Sequence, residues 1–238
     1  MKNKYYQFSK QDNKAVVNIF GDIVDDVVFE EGVSALSFAY ELEAIGVVDE
    51  IEVYINSYGG SVSQGFAIYN QLKNHPAKIT TICSGFACSI ASIIFLAGDE
   101  RIMQDASLLM IHNPFVMTIG NANELRKQAD DLDKMAQVSV DLYCQATGLD
   151  EETIKKMMDE ETWITSKEAC ELGFATSHKE EEQDEVVSLV VQSVKKSLVQ
   201  KIVGETKTQP EESKVVEEKP TVDSVSNFLK IFQRKGEN

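Results

Sequence analysis

The sequence predicts an α/β domain over its first 175 residues, because strand patterns and helix patterns alternate along this part of the chain. Short apolar runs that end at a glycine or a polar residue indicate strands. Apolar residues three and four positions apart indicate amphipathic helices. Hydrophobic residues make up 43% of the chain, which allows a packed core. A change to a strongly charged composition at Lys179 marks the end of the domain.

The first half of this domain alternates strictly between the two patterns. Strands are predicted at 15–20, where AVVNIF ends at a glycine, at 51–55, where IEVYI alternates, and at 78–83. Helices are predicted at 33–45 and 65–72, where apolar residues repeat at helical spacing, and at 87–96, which is apolar apart from two serines. Predominantly apolar segments of this kind indicate elements buried on every side.

Capping residues define the elements of the second half. Two short strands, at 101–103 and 108–111, are predicted on either side of a turn at Asp105. Asn121 is the predicted N-cap of a long helix that runs to about Ala146 and is stopped by Gly148. Asp150 begins a helix through 158, and Thr165 begins a short helix that ends at 173 with a capping-box glutamate three residues on.

The charge balance limits the classes of partner. The formal net charge is -16, which argues against a basic face for nucleic acid or an anionic membrane. The most apolar window, 81–98, is interrupted by serine and glycine, so it predicts a buried strand and helix and no membrane span. The four cysteines show no CxxC pair or metal-ligand spacing, and the first 14 residues lack a signal-peptide core. We therefore expect a cytoplasmic protein with free thiols and without a metal or organic cofactor.

Ser89 is the first candidate for chemistry. It lies at the junction of an apolar strand and an apolar helix, among the small residues of GFACS. A helix N-terminus offers free N–H groups that favour developing negative charge. By position alone, a serine in a small-residue helix contact is the commoner interpretation.

His112 is the candidate general base. It ends the apolar run LLMI, and Asn113-Pro114 then turns the chain. The other two histidines, His75 and His178, have the surroundings of surface residues, so His112 is chosen by elimination. As a lone feature it is more often a hydrogen-bonded structural histidine.

The third feature is the pair Gly59-Gly60, which follows a buried strand in INSYGGSV. Two glycines allow backbone N–H groups to point into a cleft, although an ordinary turn has the same composition.

Taken together, the three motifs resemble those of the ClpP family of serine peptidases. The family pattern Asn-Ser-x-Gly-Gly-x-Val, Gly-x-Ala-x-Ser and Met-Ile-His-x-Pro is matched by INSYGGSV at 55–62, GFACS at 85–89 and MIHNP at 110–114. The resemblance covers about residues 15–176 and implies a ClpP/crotonase-like α/β fold with a long handle helix. It also implies a ring-like homo-oligomer that is assembled through the 121–146 helix.

The resemblance assigns roles to individual residues. Ser89 is the nucleophile, His112 is the general base, and the backbone N–H groups of Gly60 and Ile90 form the oxyanion hole. The register of Trp163 against the Glu168-Ala169 motif places the third member of the triad at Glu161, with Asp159 as the fallback.

Within the family, the details resemble the ClpP-related proteases of phage and prophage head-assembly modules. These details are the short N-terminus, Gly21-Asp22-Ile23 after the first strand, and Glu161-Thr162-Trp163. They imply a serine endopeptidase that processes capsid or scaffold proteins during head maturation, in the bacterial host cytoplasm or the procapsid. The short N-terminus argues against an ATPase partner.

Three alternatives remain open. The chain could be a general ClpP-type proteolytic subunit that works with an ATPase, or a non-catalytic capsid-assembly protein that kept the fold. A crotonase-like acyl-CoA enzyme would share paired backbone N–H groups, but it would not need the Ser89 and His112 pair.

The domain organisation predicted is a peptidase domain at 1–178 and a tail at 179–238. The tail begins with the charged run KEEEQDE, and its central segment 204–222 has too few large apolar residues to offset its ordering entropy. Amphipathic helices are predicted on either side, at 186–203 and 224–235. We expect the tail to be dispensable for catalysis and to serve targeting.

Overall fold

The computed structural model describes residues 6–25 and 32–179, all of which belong to the unit 1–182. The predicted tail therefore lies outside the described residues, except for Lys179. The fold is α/β, as the sequence predicts, with strands and helices in mixed order. In chain order the elements are β1 (Tyr6–Gln11), β2 (Lys14–Phe20), α1 (Ala35–Ile45), β3 (Glu50–Ser57), α2 (Val62–Lys73), β4 (Lys78–Cys88), α3 (Ile90–Phe95), β5 (Glu100–Gln104), β6 (Leu108–Ile111), α4 (Ala122–Thr147), α5 (Glu151–Asp159), β7 (Thr162–Thr165), α6 (Ser166–Glu171) and β8 (Ser177–Lys179).

The described strands form one sheet that branches at β4. Its main path has the order β1-β2-β3-β4-β5-β8, in which every pair after the antiparallel β1 and β2 is parallel. The first half of β4 pairs with β5, and its last three residues pair with β6, which in turn pairs with β7 in antiparallel register. The branch creates a second strand edge next to the end of β4.

The core lies between this sheet and the helices packed on it. Alternate residues of β2 and β3 are fully buried, and so is almost every residue of α3. Fully buried side chains such as Phe38, Ile68 and Phe95 join the two layers. Burial on all sides explains why the apolar residues of 87–96 show no helical period.

Four of the predicted helix signals are confirmed. Capping boxes begin α4 at Asn121 and α6 at Thr165, the side chain of Asp150 caps α5, and Gly148 ends α4 with φ 77° in the left-handed region. With 26 residues, α4 is about 39 Å long at 1.5 Å per residue. Only its second half is buried in the described residues, at Ser139, Val140 and Tyr143.

The predicted helix at 87–96 is wrong at its start. The strand β4 continues to Cys88, because Phe86, Ala87 and Cys88 find hydrogen-bonding partners in β6, and the helix begins only at Ile90. Three short or edge strands were not predicted, namely β1, β7 and β8. β7 and β8 depend on partners that are distant in sequence, whereas β1 forms a hairpin with its neighbour β2. β8 includes Lys179, which the sequence places in the linker.

Candidate functional site

Strand pairing brings Ser89 and His112 together although they are 23 residues apart. Ser89 follows β4 directly, and His112 follows β6 directly. The two strands are parallel, with Cys88 opposite Met110, so their carboxyl ends meet at the same edge. The N–H of Ser89 donates to the carbonyl of Met110 at 2.8 Å, and Nε2 of His112 lies 2.8 Å from Oγ of Ser89.

Ser89 occupies a backbone conformation that L-residues rarely adopt, with φ 55° and ψ -129°. The conformation forms a sharp turn from β4 into α3. A serine in this N-cap position usually accepts a hydrogen bond from the first helical turn, but Ser89 makes no such bond with its side chain. Its Oγ is therefore directed to His112, which is the geometry of strained strand-to-helix turns that expose a nucleophile.

The glycine loop after β3 lies directly against this turn. Gly59 and Gly60 have φ 100° and 138°, which favour glycine. A Cβ atom on Gly59 would lie 2.8 Å from Cβ of Ser89 and 3.2 Å from the backbone nitrogen of Ile90. Only a residue without a side chain permits this approach.

Asn56 and Ser57, which precede the glycines, hold the loop in place. The register between β3 and β4 shifts after Ile55, and there Oδ1 of Asn56 accepts a 3.0 Å hydrogen bond from the N–H of Phe86. Oγ of the buried Ser57 accepts from the N–H of Gly59 at 3.0 Å. The two polar side chains therefore have structural roles in the INSYGG motif.

A strap at 21–24 supports the loop from the other side. The N–H of Ile23 donates to the carbonyl of Gly59, and the carbonyl of Ile23 accepts from the N–H of Ser61, both at 2.8 Å. These bonds hold Gly60 on both sides. Among the backbone hydrogen bonds of turns, loops and caps in the described residues, none is donated by the N–H of Gly60. Ile90 is the first residue of α3, where an N–H group lacks an intrahelical acceptor.

Ser89, His112 and the two glycines line a cavity of about 450 Å³. A second cavity of about 470 Å³ shares Gly60, Pro114 and Phe115 with the first and reaches Leu132 on α4. The ring of Phe115 meets that of His112 edge-on at 5.9 Å between centroids. The cleft is therefore longer than the site around Ser89 and can hold an extended chain.

The two candidate acids lie close together in sequence: Asp159 ends α5, and Glu161 lies in the turn between α5 and β7. The antiparallel ladder of β6 and β7 ends with Ile111 opposite Thr162, so His112 and Glu161 are the next residues on the two strands. Glu161 is exposed and has φ 50°. Oδ1 of Asp159 accepts a 2.7 Å hydrogen bond from the side chain of Asn113. Neither carboxylate is hydrogen-bonded to His112 among the described contacts.

The other two histidines lie elsewhere. Nδ1 of His75 accepts from the N–H of Ala77 at 3.1 Å after α2, and burial lowers the pKa of His75. His178 is part of β8, with Nδ1 at 3.7 Å from the sulfur of Cys170. Neither lines the cavity that contains Ser89.

The thiols near the site are held in their neutral form. Burial raises the pKa of Cys88 to about 12 and that of Cys83 to about 11. Because a thiolate is the reactive form of cysteine, Cys88 is a poor nucleophile at neutral pH although it precedes Ser89. All four cysteines are free.

In residues 6–25 and 32–179, no three His, Cys, Asp or Glu side chains are grouped so that they could hold a metal ion. Over the same residues, no helix combines the length and apolarity needed to cross a membrane.

Sequence reasoning missed two hydroxyl groups that lie behind Ser89. In the sequence, Ser92 is one of the serines that interrupt an apolar window, and Tyr143 is one apolar-spaced residue of the long helix. Their side chains meet at 2.7 Å, and Ser92 also bonds the carbonyl of Ser89. The one available signal was a serine three residues after Ser89, at the spacing of a side chain that bonds a backbone carbonyl.

Comparison with known proteins gives a consistent result. Over 154 residues the chain is 34% identical to "ATP-dependent Clp protease proteolytic subunit 1" of Chlamydia abortus, covering 63% of this chain and 80% of that subunit. Over 124 residues it is 38% identical to the subunit of the same description from Protochlamydia amoebophila, but that match covers 50% of this chain and 60% of the relative's length.

A solved structure, a ClpP1 mutant from Listeria monocytogenes, superimposes with a TM-score of 0.60 at 25% sequence identity, covering 71% of this chain and 92% of the other. The fold is therefore ClpP-like, as the resemblance implied. The family model described as Clp protease matches residues 2–181, which is most of the chain. The chain belongs to the Clp protease family.

Proposed function

We propose that this chain is a serine endopeptidase in which Ser89 attacks the carbonyl carbon of a peptide bond. The observation that carries the proposal is the 2.8 Å contact between Oγ of Ser89 and Nε2 of His112, on the wall of an open cleft. Nucleophile and base within hydrogen-bond reach are the signature of an activated serine. Two further features support the proposal: the turn at Ser89 is strained, and the hydroxyl of Ser89 does not cap α3.

The reaction follows the double-displacement scheme of serine peptidases. Nε2 of His112 takes the proton of Ser89 as Oγ attacks, and a tetrahedral oxyanion forms. The N–H groups of Gly60 and Ile90 stabilise the oxyanion by donating to it, because they lie on the two backbone segments that meet beside Ser89. His112 then protonates the leaving amine. Water, activated by the same imidazole, hydrolyses the acyl-enzyme and restores the free hydroxyl.

Glu161 is proposed as the acid that orients His112. The register of β6 and β7, continued by one residue beyond Ile111 and Thr162, supports this choice over Asp159. Directly opposite residues of an antiparallel pair have their Cβ atoms about 4.5–5.5 Å apart, which a glutamate side chain can span. The exposed turn leaves room for the carboxylate to reach Nδ1 when substrate closes the cleft.

The proposed substrates are proteins that bind in extended form. The two cavities adjoin at Gly60 and Phe115, which gives the cleft room for residues on both sides of the scissile bond. A peptide there could pair with the backbone beside the glycine loop as an added strand. The proposed assembly is a ring-like homo-oligomer with α4 between subunits. Leu125, Met135 and Val138 leave α4 with exposed apolar side chains, which supports such a contact.

The biological role proposed is the processing of capsid or scaffold proteins during phage head maturation. Its support is the likeness of Gly21-Asp22-Ile23 and Glu161-Thr162-Trp163 to head-assembly proteases. The second candidate is a proteolytic subunit that works with an ATPase, and it is favoured by the descriptions of both curated relatives. Cleavage of a co-expressed capsid protein without ATP would support the first. ATP-dependent degradation of casein with a Clp ATPase, and none without it, would support the second.

The decisive test of the chemistry is labelling by a fluorophosphonate. The expected result is one stoichiometric adduct at Ser89, found by peptide mass mapping, and loss of peptide hydrolysis in Ser89→Ala. The matched control is Ser177→Ala, which removes an exposed hydroxyl on β8 and should be labelled normally. An unlabelled native protein, or a Ser89→Ala variant with near-normal turnover, would overturn the proposal in favour of a non-catalytic or acyl-CoA-binding role.

A further inference from the structure

A chain of two buried hydroxyl groups connects the long helix α4 to the backbone of Ser89. Oγ of Ser92 lies 2.6 Å from the carbonyl oxygen of Ser89 and 2.7 Å from the phenol oxygen of Tyr143. Ser92 is 0% and Tyr143 2% exposed, so these two hydrogen bonds are shielded from bulk water. Ser92 lies on α3 and Tyr143 on α4.

The donors of this chain follow from the number of protons available. A carbonyl oxygen only accepts, so the hydroxyl of Ser92 must donate its single proton to the carbonyl of Ser89. The bond between Ser92 and Tyr143 then requires the phenol as donor. The phenol of Tyr143 therefore donates to Oγ of Ser92, and the hydroxyl of Ser92 donates to the carbonyl of Ser89. Burial raises the pKa of Tyr143, which keeps the phenol protonated as this arrangement requires.

The carbonyl that receives this chain belongs to the strained residue of the site. A non-glycine residue with φ 55° persists only where its surroundings hold it. On one side, the N–H of Ser89 is fixed by Met110. On the other, its carbonyl accepts from both the N–H of Ser92, at 3.0 Å, and the hydroxyl of Ser92. The two peptide groups around Ser89 are thus clamped, and the second clamp depends on Ser92.

Tyr143 is itself firmly placed. Its ring packs edge-on against Phe174 at 5.8 Å between centroids, and its carbonyl accepts a 2.7 Å bond from the hydroxyl of Thr147. The phenol is therefore buried and packed where its oxygen lies within hydrogen-bond distance of Oγ of Ser92.

We propose that Tyr143 and Ser92 are positioning residues that hold the Ser89 turn in the conformation in which Oγ reaches Nε2 of His112. The inference rests on the proposed peptidase function and adds to it a dependence of the nucleophile on α4. It goes beyond the filling of a buried polar site, because a purely structural pair would affect stability without affecting the reactivity of folded molecules.

Tyr143→Phe is the smallest change that tests this pair of hydrogen bonds, because it keeps the ring against Phe174 and removes only the phenol hydroxyl that donates to Ser92. We expect kcat for peptide hydrolysis to fall about tenfold with KM within about twofold, since the lost bond acts on the nucleophile and not on substrate binding. The second-order rate of fluorophosphonate acylation should fall in parallel. Ser92→Ala should be at least as severe, and the double variant no worse than Ser92→Ala, because the two residues act in series.

Ser139→Ala is the matched control. Ser139 is a buried serine of the same helix that bonds the carbonyl of Met135 at 3.3 Å and does not contact Ser89. Its kcat and acylation rate should be those of the native protein. Rates are expressed per folded active site, with the melting temperature and the oligomeric state measured for every variant. If Tyr143→Phe does not fold, Ser92→Ala decides, because it leaves the ring of Tyr143 in place.

The outcome that overturns this inference differs from the one that overturns the proposed function. Native acylation and kcat in Tyr143→Phe and Ser92→Ala, with a lowered melting temperature, would reduce the pair to a structural contact even if Ser89→Ala is inactive. Additive losses in the double variant would also contradict a chain in series. If Ser89→Ala itself remains active, the peptidase proposal fails first.

Discussion

The side-chain amide of Asn113 donates a 2.7 Å hydrogen bond to Oδ1 of Asp159. Asn113 is the residue next to His112, so this bond ties the histidine segment to the end of α5. It also engages the Asp159 carboxylate with a partner other than the imidazole. The β6 and β7 register ends with Ile111 opposite Thr162, and its continuation by one residue would place Glu161 opposite His112.

Glu161→Gln is expected to reduce kcat by more than about tenfold with little change in KM, because a neutral amide does not stabilise the imidazolium that forms during attack. Asp159→Asn should have a milder effect, since an amide oxygen can still accept from Asn113. Steady-state kinetics on a fluorogenic peptide compare the two isosteric variants. A larger loss in Asp159→Asn would show that Asp159 is the acid of the triad.

The raised pKa of Cys88 predicts that peptidase activity resists thiol reagents. The thiol stays neutral at every pH well below about 12, so no thiolate is available between pH 7 and pH 9. Iodoacetamide should leave both the activity and the Cys88 peptide unmodified in the native protein, as followed by mass spectrometry. Urea-unfolded protein provides the positive control for alkylation. Inactivation in proportion to Cys88 modification would contradict this expectation.

The packing of Gly65, on α2, against Ile90 predicts that a substitution at Gly65 disturbs the proposed oxyanion hole. A Cβ atom at Gly65 would clash with Cγ1 of Ile90, so α2 and α3 approach each other this closely only because the side chain is absent. Gly65→Ala should displace Ile90 and its N–H group. It should lower both kcat and the free energy of unfolding, the latter by about 1–3 kcal/mol as for other overpacked cores.

The double variant Gly65→Ala/Ile90→Ala is the control, because it removes the atom that would clash. Its free energy of unfolding should exceed the value expected if the two single losses were additive. Additive losses, measured by urea unfolding, would show that the two residues do not compete for the same space.

A charge at Leu132 should weaken assembly. Leu132 is half-buried on α4 and lines the second cavity, next to the exposed Met135. If α4 packs between subunits, Leu132→Glu would place a carboxylate in an apolar contact and weaken association by at least about tenfold. Sedimentation velocity over a micromolar concentration range measures this. The control variant Asn123→Glu adds the same charge at an exposed position of α4 and should assemble normally. A native protein that is monomeric over the whole concentration range would contradict the proposed ring.

The end of the peptidase domain can be tested by truncation. The strand β8, Ser177–Lys179, pairs with β5 through Ile102, Met103 and Gln104. A chain that ends at 179 should keep full peptide hydrolysis, because the sheet remains complete. A chain that ends at 176 loses the strand and should have a lower melting temperature. If the 179 variant is inactive or insoluble, the tail is part of the folded enzyme.

Local sequence patterns determined most of the elements and their caps. Asn121, Asp150 and Thr165 cap helices by bonds to residues two or three positions away, so the signal lies wholly within a few residues. The motifs INSYGG, GFACS and MIHNP likewise identified the segments that meet in the cleft. Within INSYGG, the bond from the N–H of Gly59 to Oγ of Ser57 is also local.

Tertiary structure decided what depends on partners distant in sequence. Phe86, Ala87 and Cys88 belong to a strand and not to a helix because β6 satisfies their backbone, and no local pattern encodes that pairing. The same pairing sets Ser89 at 2.8 Å from His112. Tyr143 and Ser92, 51 residues apart, meet only because α4 packs on α3. Side-chain contacts of this kind are fixed by the approach of whole elements, which periodicity does not record.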